Sequence, residues 1–119
     1  MNVVRLPTFY IPHGGGPCFF MDWPGPSPNP WTSLANWLRQ LSGTLPDKPR
    51  AVLVISGHWE ADPVAVNVQT QPPLLFDYYG FPEHTYQLKY PAPGDPKLAS
   101  EVRSLLASLG SPGAGYLSW

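Results

Sequence analysis

"AVLVISGHWE" (51–60) decides how this chain folds. Ala51 to Ile55 form a continuous β-branched and apolar run, the pattern of a central strand covered on both faces. The run breaks at Ser56 and Gly57 and delivers His58 beyond its carboxyl end. Upstream, "PTFYI" (7–11) reads as a shorter strand and delivers His13 in the same way, at the start of "HGGGP" (13–17). Downstream, "VAVNV" (64–68) alternates, with Val64, Val66 and Val68 on one face of a third strand.

Two helices flank these strands. "SLANWLRQL" (33–41) sets Leu34, Trp37, Leu38 and Leu41 at helical spacing, with Thr32 or Ser33 as its cap. "DPKLASEVRSLLASLG" (95–110) carries fuller punctuation: Asp95 at the N-cap, Pro96 at the first helical position and Gly110 just past the end. Leu98, Val102, Leu105, Leu106 and Leu109 make its expected buried stripe. This order predicts an α/β fold, with a mixed or mainly parallel sheet flanked by helices. Neither an internal repeat nor a domain boundary is visible, so residues 1–119 are expected to form a single domain.

Composition narrows the function classes. A formal net charge of -1, without a Lys/Arg cluster, argues against nucleic acid or an anionic membrane as partner. The single cysteine, Cys18, forms no internal disulfide and suits a reducing compartment. "MNVVRLPTFYIP" (1–12) is too short in its apolar part for a signal peptide, and no apolar run is long enough to span a bilayer. The expected location is cytoplasmic. Seventeen of the 119 residues are proline, against a usual share of about 5%. They fall in "WPGPSPNPW" (23–31), "QPPLL" (71–75) and "FPEHTYQLKYPAPGDP" (81–96), interleaved with aromatics, which marks ordered loops around a site and not a disordered linker.

Sites in α/β sheets form at the carboxyl ends of strands, where His13 and His58 both fall. Neutral imidazole ligates iron or zinc, and adjacent glycine lets backbone and metal approach closely. Two histidines need a third ligand, often a carboxylate. Glu60 shares a face with His58 in an extended segment and is the local candidate. The bland reading makes Glu60 a solvated residue, His84 a loop surface residue, Asp22 and Asp77 turn or capping residues and Cys18 a small buried apolar one. "HGGG" (13–16) also suits an esterase of the α/β-hydrolase type, where it serves as oxyanion loop. That chemistry requires a G-x-S-x-G nucleophile elbow, which these 119 residues do not contain.

"HGGGPCFF" (13–20), "LVISGHWE" (53–60) and "DYYGFPEHTYQLKYPAPGDPKLA" (77–99) resemble, in order and spacing, the class III extradiol ring-cleavage dioxygenases, and more closely their DOPA dioxygenase-type branch. The likeness runs from about residue 7 to residue 110. It implies that His13 and His58 are metal ligands for Fe(II) or Zn(II), and that the reaction opens a catechol-type aromatic ring with O2 outside the diol. It also implies that loops 19–31 and 76–90 wall a flat pocket, with Phe19, Trp23, Tyr78, Tyr79 and Phe81 as candidates. Family members run to about twice this length and carry the remaining ligand and the acid/base histidine in their second half. The resemblance therefore implies an N-terminal half of the domain, whose exposed sheet edge favours self-association. The alternative is a non-catalytic remnant that binds a metal or a partner chain.

Overall fold

The computed structural model describes residues 5–110 and the backbone of residues 115–117. Its contacts group into two units, Met1–Val52 with Tyr78–Gln87, and Leu53–Asp77 with Leu88–Trp119.

In the second unit, strand β1 (Ala65–Asn67) pairs in parallel with strand β2 (Gly115–Leu117), in the register Ala65 to Gly115, Val66 to Tyr116 and Asn67 to Leu117. Helix α2 (Pro96–Ser108) connects them and packs on β1. Parallel strands need a crossover of this kind, because a tight turn cannot reverse the chain twice. α2 starts where its punctuation places it: the Asp95 carboxylate accepts from the Leu98 N–H at 3.0 Å, and Pro96 occupies the first turn. It ends at Gly110, whose φ of 80° closes the C-terminus in the left-handed region. The segment leading into α2 is docked by Gly94, whose N–H donates to Thr70 O at 2.9 Å.

The first unit is built around helix α1 (Thr32–Gln40), continued by a 3₁₀ turn at Leu41–Thr44. Its cap differs from the expected Thr32 or Ser33. Trp31 occupies the N-cap without a side-chain cap bond. Asn29 opens the turn, its side-chain oxygen accepting from Trp31 N–H at 2.9 Å and its carbonyl from Thr32 N–H at 3.2 Å. An Asn two residues ahead folds its side chain back on the backbone more readily than a hydroxyl already inside the helix.

The expected α/β pattern is thus present in part, as one parallel pair with its crossover helix. The strands expected at 7–11 and 51–56 do not form; among the described residues β1 and β2 are the sheet. A strand is stable only through its ladder partner, and neither segment meets one. The expected stripe of α2 is corrected too. Leu105 and Leu109 are exposed, while Ala99 is buried beside the half-buried Leu98, Val102 and Leu106. Among the described residues the buried apolar side chains are Pro17, Ala35 of α1 and Ala99 of α2, with Thr85 fully buried as well.

Candidate functional site

His58 sits on a tight turn rather than past a strand. Ser56 builds that turn twice over: its carbonyl accepts from Trp59 N–H at 3.2 Å, and its hydroxyl from His58 N–H at 3.2 Å. The imidazole is held by a second group, with His58 Nδ1 2.7 Å from Asp77 Oδ2. A carboxylate only accepts, so Nδ1 carries the proton and the lone pair of the neutral ring resides on Nε2.

His13 is exposed at the start of its glycine run, and its Nδ1 lies 2.8 Å from Gly14 O. The carbonyl accepts, so here too the neutral ring carries its lone pair on Nε2. The run behind it is shaped by packing. Gly14 is buried, and a Cβ there would collide with Cys18 Sγ and come within 3.0 Å of the Trp31 ring. Gly16 has φ 49°, and a Cβ there would lie 2.6 Å from the Phe81 ring. Burial raises the Cys18 thiol pKa above its ordinary value, with backbone hydrogen bonds acting the other way. Cys18 is half-buried, where a small buried apolar residue was expected.

The five expected wall residues fall in different settings. Tyr78 and Phe81 meet edge-to-face at 5.3 Å, and Tyr78 also lies 5.2 Å from Tyr86. Hydrogen bonds lock this cluster: Tyr78 hydroxyl to Thr85 O at 2.6 Å, Thr85 hydroxyl to Pro82 O at 2.7 Å and Phe81 N–H to the Tyr86 hydroxyl at 3.3 Å. The adjacent Tyr79 is 91% exposed. Trp23 is exposed and donates its indole N–H to Pro26 O at 2.8 Å. Phe19 lines a cavity of about 110 Å³ with Cys18, Trp31, Ala35 and Arg39. That volume falls below the usual range for a drug-sized ligand, roughly 300–1,000 Å³.

Glu60 is exposed, and the carboxylate against His58 is Asp77. Asp77 was expected to serve a turn or a cap. Nineteen positions separate it from His58 in the sequence, so no local pattern announces the pair. His84 is exposed, as expected, and also ties its loop down, with Nε2 2.8 Å from Phe20 O. Among the described residues no three His, Cys, Asp or Glu side chains cluster as a metal cage. The chemistry of the donors nevertheless suits a metal. Each histidine has Nδ1 anchored on an oxygen, the arrangement that orients metal-binding imidazoles through Nε2.

The sequence matches known proteins. A family model described as the catalytic LigB subunit of aromatic ring-opening dioxygenase matches residues 7–113. The 4,5-DOPA dioxygenase extradiol of Beta vulgaris is 42% identical over 103 residues, covering 87% of this chain and 36% of that protein. Dioxygenase tasH of Hapsidospora irregularis is 36% identical over 117 residues, covering 92% of this chain and 36% of its own. The 4,5-DOPA dioxygenase extradiol of Escherichia coli K12 is 35% identical over 109 residues, again 92% of this chain and 36% of that protein. The chain spans about a third of the length of these relatives, not the half expected from its motifs. With the match running through both histidine motifs, the YGFP loop and α2, the chain belongs to the family of the catalytic LigB subunit of aromatic ring-opening dioxygenase.

Proposed function

We propose that this chain supplies the two-histidine part of a metal centre that opens a catechol-type aromatic ring with O2, outside the diol. The observation that carries the reading is the family match through both His13 and His58. The anchored Nδ1 of each ring supports it. Two of the relatives are named for 4,5-DOPA, so a small aromatic diol of that kind is the substrate class we assign. Fe(II) bound there supplies the one-electron chemistry that O2 needs, whereas Zn(II) in the same ligand set supplies only Lewis acidity.

The chain's own residues do three things in this reading. His13 and His58 donate neutral imidazole nitrogen, a ligand suited to both metals. Phe19, Trp23, Tyr78, Tyr79 and Phe81 give the diol ring flat apolar neighbours, with Tyr78 and Phe81 held rigid by their own loop. Glu60, two residues beyond His58, is the local oxygen donor we assign as a third ligand. The enzyme reading concerns the longer family domain, of which this chain matches a part. The single cysteine and the absence, among the described residues, of a helix long and apolar enough to cross a membrane are consistent with a cytoplasmic place.

Anaerobic titration of the purified chain with Fe(II) or Zn(II) tests this directly, with His13→Ala, His58→Ala and Glu60→Gln alongside. Stoichiometric binding lost in both histidine variants is expected, with weaker binding in Glu60→Gln. No binding, or binding indifferent to both histidine substitutions, sinks the reading. Binding indifferent to Glu60→Gln alone removes Glu60 from the ligand set.

A further inference from the structure

We propose that Asp77 is a positioning residue for the metal ligand His58, an inference that rests on the metal reading above. The contact between His58 Nδ1 and Asp77 Oδ2 is 2.7 Å long, between groups whose side chains are 58% and 53% exposed. A pair so open to water contributes little to stability. Its geometric effect is larger. An imidazole in water exchanges its proton between both nitrogens and turns about its ring axis, and the neutral ring in water favours the proton on Nε2. That tautomer leaves Nε2 without a lone pair for a metal. The Asp77 carboxylate reverses the preference by accepting from Nδ1–H, and it fixes the plane of the ring. The Ser56 hydroxyl fixes the other end by accepting the His58 backbone N–H at 3.2 Å. Backbone and ring are thus both set before a metal arrives.

The consequence is a division of labour in "DYYGFPEH" (77–84). Tyr78 onward forms the aromatic turn described above, while Asp77, at its leading edge, serves the histidine of the earlier motif. Carboxylate partners of metal-binding histidines typically account for 10–100-fold in metal affinity.

Two readouts test the assignment on the full chain. Long-range ¹⁵N–¹H NMR of the metal-free protein, at a pH where imidazole is neutral, reports the His58 tautomer directly. Wild type is expected to show the Nδ1–H form, Asp77→Ala a shift toward Nε2–H, and Asp77→Glu recovery of much of the Nδ1–H form. Zn(II) titration is expected to show a 10–100-fold weaker affinity in Asp77→Ala and partial rescue in Asp77→Glu. A His58 tautomer unchanged in Asp77→Ala overturns the proposal. So does unchanged affinity in Asp77→Ala when His58→Ala abolishes binding. If His58→Ala itself leaves binding intact, the metal reading fails and the positioning role falls with it. Asp77→Asn, nearly isosteric and matched by circular dichroism, guards against a folding artefact.

Discussion

At residue scale, the glycines of "HGGGP" separate a packing turn from a ligand cradle. A Cβ on Gly14 meets Cys18 and Trp31, and one on Gly16 meets Phe81, whereas Gly15 has open space around it. Two of the three glycines are therefore required by their neighbours' rings and sulfur, without any ligand. Gly14→Ala is expected to cost about 1–3 kcal/mol, as overpacked sites do, and to lower the thermal midpoint. Gly15→Ala is expected to stay within about 0.5 kcal/mol, as at an unremarkable surface position. Thermal unfolding followed by circular dichroism decides between them, and equal effects would undo the packing account. The contrast also shows what a motif leaves unsaid. The histidines were legible because each begins or follows a glycine pattern; which glycine matters depends on Trp31 and Phe81, which approach from distant parts of the sequence. Asp77 was hidden for the same reason. Its chemistry depends on a partner nineteen positions back, and its neighbours in sequence, Tyr78 and Tyr79, point only to a turn.

At the scale of elements, legibility follows the range of the forces involved. α2 was readable almost to its ends because its start and stop are written locally, in Asp95, Pro96 and Gly110. Asp95→Ala removes the acceptor for Leu98 N–H and is expected to cost about 1 kcal/mol of helix stability. The measurement is helical ellipticity through a thermal or urea transition; an unchanged midpoint would mean that α2 is held by its packing on β1 and not by its cap. The exposure of Leu105 and Leu109 was not legible, because helical spacing gives a face but not its width. The wall that covers the face has to be known first. α2 packs on β1, and three residues of strand are too short to cover the whole length of a thirteen-residue helix. α1 shows the complementary limit: its apolar spacing located the helix, and the Asn29 turn, outside that spacing, set where it begins.

At the scale of the molecule, the segment that decided the expected fold lies exposed in the structure. Val54 is 76% and Ile55 90% exposed, and Leu53 is exposed beside them. Residues 51–56 contain no charge and no proline, so nothing in the segment opposes strand pairing. Its apolar pattern was readable, but the partner strand was not, because β pairing is a long-range property that the run itself does not encode. A second copy of this chain presents an equally uncharged, β-branched edge, and in-register pairing of identical segments needs no further complementarity. Self-association through 51–56 is therefore the expected behaviour of the purified chain. Sedimentation velocity over a concentration series is expected to show mass rising with concentration. The double substitution V54K/I55K places two like charges on opposite faces of the paired segment and should return the chain to monomer. Association that survives the double substitution would locate the contact elsewhere, and a monomeric parent at every concentration would mean that the exposed run is tolerated without a partner. Metal titration of V54K/I55K separates the two roles of this stretch: affinity equal to the parent's would show that His58 ligates within one chain, and affinity lost together with association would make the second copy part of the site.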